Sequence, residues 1–344
     1  MDLDRLRELE SEGLITLRPN SEADLLIANY TSKVQYDRLW TDELMQLRGL
    51  IVDMEGNVVA RPFPKFFNLE EHDTIPDEPF DCYEKMDGSL GIVYWWNHTW
   101  NVSTRGSMSS EQAQEGFKIL HKQYTPDDLA SLSKDTTYLM EIIYPENRIV
   151  VDYSGERRMV FLGAYRTEDG FDYGNTRCAF INEPWPDRVR KFELDLENLD
   201  KSQNLDDEGY VIRFKSGLRM KIKFDEYVRL HRIVTGVSSR TVWEYLRDGT
   251  DFKELTERVP DEFYQWLCKQ RIELEEQFLG VMDRAKRIFN SAPEFETRKD
   301  FALWAKDQID PSLLFSLLDG KDIRPMVWKM IKPERTLPYA GAHE

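Results

Sequence analysis

Lys85 stands one residue before the Asp87-Gly88 pair in Tyr83-Glu84-Lys85-Met86-Asp87-Gly88-Ser89-Leu90, and an apolar run follows to Trp96. A lysine at the mouth of such a turn can point its amine into a site. The amine becomes a nucleophile once its surroundings favour the neutral form. If the target is a phosphoryl group, the chain must also supply cations to hold phosphate and a carboxylate to hold a metal. The segment Gly209–Lys215, Ser216-Gly217, Leu218–Phe224 reads as a hairpin. Strand alternation puts Arg219, Lys221, Lys223 and Asp225 on one face, and Leu218, Met220, Ile222 and Phe224 on a core face. Adjacent lysines repel unless an anion lies between them, and phosphate is the natural anion. A solvated lysine face on an edge strand is the alternative. The hairpin opens with Asp206-Asp207-Glu208-Gly209. A carboxylate there can hold a hydrated Mg²⁺ or orient a lysine amine, although the same string also describes an ordinary acidic loop.

The elements that must position these residues are strands. A helix is expected over Leu3 to Glu12. One hairpin runs Leu47–Asp53, turn Glu55-Gly56-Asn57, Val58–Arg61, and a second runs Leu90–Trp96, turn Asn97-His98, Trp100–Thr104. Tyr138–Ile143 and Met159–Tyr165 are further strands. This geometry carries Arg48 and Lys65 to the open end of the first hairpin and returns Arg105 to the neighbourhood of Gly88 and Ser89. Each could instead be a surface charge. Glu141 lies inside the apolar run Tyr138–Ile143, so it is either paired in the core or working at a site, where a ribose hydroxyl is a plausible partner. From Ser238 the pattern becomes helical: Ser238-Ser239 can cap a helix through Leu246, ended by Asp248-Gly249. A long amphipathic segment follows from Asp261 to Phe289, with shorter helices near Thr297–Gln308, Pro311–Leu318 and Ile323–Ile331. Trp243, Trp266, Trp304 and Trp328 fall at helix-compatible positions and read as core.

Composition bounds the reading. The 344 residues are 41% hydrophobic and 12% aromatic, enough for two folded domains or one large domain plus an appendage. Apolar runs are too short to span a membrane, and the charged start lacks a signal-peptide core. Cys82, Cys178 and Cys268 are far apart and form no metal-spaced pair, which points to a reduced, cytoplasmic protein. The net charge of −17 argues against promiscuous nucleic-acid binding but not against cations focused in one cleft.

Lys-x-Asp-Gly, then a strand glutamate, then Glu-Gly, then Lys-x-Lys is the motif order of the covalent nucleotidyltransferases, which the chain resembles. Lys85-Met86-Asp87-Gly88, Glu141, Glu208-Gly209 and Lys221-Ile222-Lys223 look like the nucleophile, ribose, metal-proximal and last motifs. Leu47-Arg48-Gly49-Leu50-Ile51-Val52, Arg61-Pro62-Phe63-Pro64-Lys65-Phe66-Phe67-Asn68 and Tyr227 make the resemblance closest to the bacteriophage T4 RNA ligase 1 family. Arg105 stands where that family commonly has lysine, and a guanidinium contacts phosphate or ribose differently.

The change of pattern after the last hairpin places a domain boundary near residues 232–238, giving domains 1–234 and 235–344. The resemblance, which covers roughly residues 40–230, implies an α+β fold whose first domain is an antiparallel-sheet nucleotidyltransferase domain, followed by an all-α domain that helps choose the RNA. It implies an ATP-dependent RNA ligase joining 5′-phosphate and 3′-hydroxyl ends through lysyl-AMP, with Mg²⁺ or Mn²⁺ held through water by Glu208. Lys85 is the expected AMP-accepting nucleophile, with Lys221, Lys223 and Glu208 as catalytic partners. Arg48, Lys65, Phe67, Gly88, Arg105, Glu141, Gly209 and Tyr227 are the expected ATP-binding set, Phe67 and Tyr227 either at adenine or in packing. Neighbouring cations are expected to depress the Lys85 pKa. The expected partners are RNA ends, broken tRNA among them, met by a monomer in the cytoplasm, or in a host's cytoplasm if the source is a phage. A capping-type guanylyltransferase and a DNA ligase are the competing enzymes, and both usually carry a β-barrel where this chain turns helical. A non-catalytic nucleotide- or RNA-binding scaffold is the competing class.

Overall fold

The computed structural model describes residues 2–20, 24–175, 187–202, 206–256, 259 and 261–338. Cys178 lies outside the described residues. The chain divides into two compact units, the first ending at Arg229 and the second beginning at Leu230, inside the helix Asp225–Gly236. The first unit is strand-rich: β1 (Ile15–Asn20), β2 (Leu25–Tyr30), β3 (Arg48–Asp53), β4 (Val58–Ala60), β5 (Phe67–Asn68), β6 (Phe80–Lys85), β7 (Ser89–Trp96), β8 (Thr99–Ser103), β9 (Thr136–Ile143), β10 (Arg158–Arg166), β11 (Asp172–Gly174), β12 (Lys191–Phe192), β13 (Gly209–Phe214) and β14 (Arg219–Lys223).

Among the described residues these strands form three sheets, ordered β1-β2-β3-β4, β11-β10-β9-β7-β8 and β12-β6-β13-β14-β5. Pairing is antiparallel except between β14 and β5. All three expected hairpins are present. The β7–β8 turn places both Asn97 and His98 at positive φ, as a two-residue primed turn requires. β9 is buried along its whole length, with Tyr138, Met140 and Ile142 facing one core and Leu139 facing another shared with Ile27, Ile51 and Phe63. Burying each such side chain contributes about 2 kcal/mol, so this strand anchors the sheet that carries Glu141. On β14 the apolar face is core at Met220, Ile222 and Phe224, but Leu218 is 39% exposed. It lies in the turn before the strand begins, so alternation does not apply to it.

The second unit is helical. Ser238 caps Ser239–Asp248 by accepting from the Thr241 N–H, and Gly249 ends the helix in the left-handed conformation. The long helix Asp261–Asn290 follows, then Arg298–Ala305, Pro311–Leu318 and Arg324–Met330. Trp243 is buried, and Trp266, Trp304 and Trp328 are partly buried against apolar clusters. No described helix is long and apolar enough to cross a membrane.

Candidate active site

Lys85 is the last residue of β6, in the third sheet, and Ser89 is the first of β7, in the second. Met86-Asp87-Gly88 is therefore the strap by which the chain changes sheets. Gly88 is required because a Cβ there would lie 2.7 Å from the Ile142 carbonyl oxygen and 3.1 Å from Glu141 Cγ. The close approach lets the Gly88 N–H donate to Glu141 Oε1 at 2.9 Å. Gly88, expected at ATP, thus acts through its backbone on Glu141.

Asp87 ties the strap down. It is 4% exposed. Its Oδ2 accepts from the Val150 and Val151 N–H groups, both at 2.9 Å, and its Oδ1 from the Tyr227 hydroxyl at 2.8 Å. Its own N–H donates to the Tyr153 hydroxyl oxygen at 2.8 Å. Tyr227 is buried and its hydroxyl is spent on Asp87, so it supports the Met86-Asp87-Gly88 strap from behind.

Lys85, Gly209 and Lys223 sit in register on three adjacent strands. Glu208, one residue before Gly209, therefore lies between two lysines. Its Oε2 is 2.7 Å from Lys85 Nζ and its Oε1 is 3.1 Å from Lys223 Nζ. The Glu208 side chain is 3% exposed and that of Lys85 is 22% exposed. Gly209 makes the arrangement possible: at φ +152° its Cβ would fall 1.9 Å from the Ile222 carbonyl oxygen.

The protonation of Lys85 differs from expectation. Burial alone would lower its pKa. The Glu208 and Glu141 carboxylates, with Asp87 beyond, outweigh burial and hold it above the ordinary lysine value. The cations expected to depress it act instead on Lys221. Burial pushes Lys221 down to about 8, with Lys65, Lys85, Lys223 and Arg48 adding repulsion. Burial pushes Glu141 up to about 8 even though Lys85 opposes the shift, and Glu208 and Asp87 add to it. Arg48 is lowered by burial and by Arg105.

Lys65, Arg48, Arg105 and Lys221 therefore share one region, as expected, and none of the four has a carboxylate within ion-pair distance among the described residues. Lys65 Nζ lies 5.2 Å from the Phe67 ring centroid, and Phe67 packs edge-on against Trp40 and His72. Arg219, which alternation places beside Lys221, is spent structurally. It donates to the Tyr165 hydroxyl at 2.8 Å and to Asp172 Oδ1 at 3.1 Å, with its guanidinium over the Phe63 ring.

Sequence reasoning does not single out Tyr30, Trp40 or Tyr153. The first two lie in a segment without a recognisable pattern, and Tyr153 sits in a connection between strands. No three potential metal ligands cluster among the described residues. The donors present, Glu208 with Glu141 and Asp87 nearby, fit a cation held by a carboxylate, water and substrate phosphates rather than by a protein cage.

Comparison with known proteins gives the family. A family model described as RNA ligase, of the T4 RNA ligase 1 type, matches residues 46–228, more than half the chain. The chain belongs to this RNA ligase family. The match begins two residues before Arg48 and ends one after Tyr227, so it includes every expected site residue. A protein of Autographa californica nuclear polyhedrosis virus named as a bifunctional polynucleotide kinase/RNA ligase is 29% identical, over 63% of this chain and 35% of its own length. The RNA ligase of Rhodothermus phage RM378 is 24% identical over 96% of this chain and 92% of that one. RNA ligase 1 of bacteriophage TS2126 is 26% identical over 42% and 39%. The chain thus spans little more than a third of two of these relatives and nearly all of the third. Among solved structures, an archaeal ATP-dependent RNA ligase is 15% identical with a TM-score of 0.49, over 93% of this chain and 96% of that one.

Proposed function

We propose that this protein is an ATP-dependent RNA ligase that seals 5′-phosphate and 3′-hydroxyl ends, with Lys85 as the carrier of AMP. The observation that carries the reading is the Lys85–Glu208 contact at 2.7 Å, beside four cations that have no carboxylate partner among the described residues. Such a cluster is unstable unless an anion completes it, and a nucleoside triphosphate brings several negative charges.

In the first step Lys85 Nζ, having lost its proton, bonds to the α-phosphorus of ATP. The bond to the bridging oxygen breaks, and pyrophosphate leaves with the electron pair. Lys221, Lys223, Arg48 and Lys65 hold the phosphates and offset the charge that develops. Glu208 would hold a divalent cation, Mg²⁺ or Mn²⁺, whose charge would draw this carboxylate away from Lys85 and so favour the neutral amine. In the second step an oxygen of the RNA 5′-phosphate displaces Lys85 from the AMP phosphorus, and the amine regains a proton. In the third the RNA 3′-hydroxyl attacks that 5′-phosphorus, AMP leaves, and the phosphodiester forms. The free Glu141 oxygen suits a ribose hydroxyl, since its partner atom is already held by Gly88.

The test is incubation with α-labelled ATP and Mg²⁺ followed by denaturing electrophoresis. A labelled protein band that Lys85→Ala abolishes is the expected result. Label on the mutant, or none on the wild type, contradicts the reading. Labelled GTP separates it from a capping-type enzyme. The finer reading is a monomer acting in the cytoplasm on broken tRNA, with the helical unit choosing the substrate. It predicts that removing residues beyond the helix Asp225–Gly236 weakens sealing of nicked tRNA more than sealing of generic single strands. Equal effects on both would count against it.

A further inference from the structure

We infer that Trp40 is a positioning residue for the nucleotide's polyphosphate: it fixes Lys65 with the charge of that lysine intact. The inference rests on the proposed function. It concerns a residue outside the segment the family model matches.

The site holds its cations in two ways. Lys85 and Lys223 are held by Glu208, which offsets their charge. Lys65 and Arg105 lie instead against aromatic rings, with no carboxylate at ion-pair distance among the described residues. Lys65 Nζ lies 5.5 Å from the Trp40 ring centroid and 5.2 Å from that of Phe67, and the two rings meet edge-on at 5.5 Å. Trp40 in turn meets Tyr30 edge-on at 4.8 Å, and Arg105 lies 5.7 Å from the Tyr30 ring. The Tyr30 hydroxyl also opposes the lowering of the Arg48 pKa, which places it beside that guanidinium. Tyr30 and Trp40 therefore form a wall along which three cations are ranged.

The wall is anchored. Tyr30 belongs to the core of the first sheet, and Trp40 packs against that core. Trp40 immediately precedes Thr41, which caps the helix Asp42–Gln46 by accepting from the Leu44 N–H. The Lys65 N–H donates to the Met45 carbonyl oxygen at 2.7 Å, so the backbone of Lys65 is fixed to the same helix.

The physical consequence is specific. A lysine side chain loses considerable rotamer entropy when it is held in one place. A carboxylate could hold it but would cancel the field that the substrate needs. An aromatic face attracts the ammonium through its quadrupole and carries no net charge. The ring thus lowers the entropic cost of binding while the full positive charge stays available to phosphate. ATP carries three phosphates into the first step, whereas sealing of a pre-adenylated strand needs no β- or γ-phosphate. A misplaced Lys65 therefore affects nucleotide use more than strand joining.

The experiment uses the full chain in two assays: adduct formation against ATP concentration, and sealing of a chemically pre-adenylated RNA strand. Trp40→Leu raises the ATP KM for adduct formation about tenfold. Its loss in the sealing assay is smaller by at least about fivefold. Trp40→Phe keeps a weaker aromatic face and raises the KM about threefold, which decides the matter if Trp40→Leu does not fold. An unchanged KM in the folded variants overturns the inference. So does an equal loss in both assays, which would make Trp40 a packing residue only. Wild-type protein that takes label while Trp40→Leu behaves normally overturns the inference alone. Wild-type protein that never takes label overturns the proposed function and this inference together.

Discussion

The strand-rich and helical units treat charge in opposite ways. In the first, Asp87, Glu141, Glu208 and Arg219 are all buried, the last two at 3% and 8% exposure. In the second, the buried polar side chains among the described residues are Ser238 and Ser239, both at the start of one helix, and no buried charge accompanies them. Its ion pairs, such as Arg271–Glu275 and Arg298–Asp319, lie at the surface, where such pairs contribute little. Burying a charge costs several kcal/mol unless it is paired. The strand-rich unit bears this cost repeatedly and, among the described residues, leaves some of its cations without carboxylate partners. Its buried charges gather around Lys85, whereas the helical unit buries no charged side chain among the described residues.

That contrast can be broken at several points. The largest effect belongs to Gly209→Ala. Its Cβ has nowhere to go, so the change should destabilise the strand-rich unit by about 4 kcal/mol or more and abolish adduct formation. Chemical denaturation followed by circular dichroism would measure it. In the helical unit Gly280 has open space where a Cβ would lie, with nothing within 4 Å, and Gly280→Ala should stabilise that unit by about 0.5–1 kcal/mol. If both changes had effects of the same sign and size, the contrast in packing would be wrong.

Lys221→Met should separate stability from activity. It removes a partly buried cation surrounded by others, so adduct formation falls about a hundredfold while stability rises by about 1 kcal/mol. A loss of both stability and activity would mean Lys221 is held by an attractive partner. Removing the Ser238 cap by Ser238→Ala should cost about 1 kcal/mol, visible in thermal unfolding, with adduct formation kept.

The smallest effect is in the pH dependence. Folding lowers the Lys221 pKa to about 8, so below that pH the folded state carries the full cost of the forced charge. As pH rises from about 8 towards the ordinary lysine value, the unfolded chain still binds a proton that the folded chain has released, and stability increases. Lys85 is shifted upward, so its contribution is lost only at higher pH. Lys221→Met should flatten the rise between these values. A rise unchanged in the variant would assign it to another group.

Much of the strand-rich unit is legible in the chain. Asn97-His98 and Ser216-Gly217 announce hairpins because their backbones suit tight turns, and Glu141 stands out because a carboxylate in an apolar strand needs a reason. What cannot be read arises between elements distant in sequence. Glu208 meets Lys85 and Lys223 only because β13 pairs with both β6 and β14 in that register. The same juxtaposition reverses the expected shift of Lys85, since spacing reveals cations and carboxylates without saying which lie nearer. Arg219 shares a strand face with Lys221, yet Asp172 and Tyr165 claim it. β1 and β2 escape the pattern, and Tyr30 and Trp40 with them: Leu25–Ala28 is a continuous buried run, which period-two alternation does not detect.

The most direct test of the central claim is the transfer of label from α-labelled ATP to the protein, compared between wild type and Lys85→Ala under the same conditions. A denaturation-stable, labelled band on the wild type and none on the variant is the predicted result. A variant that takes label as the wild type does would show that another residue carries AMP.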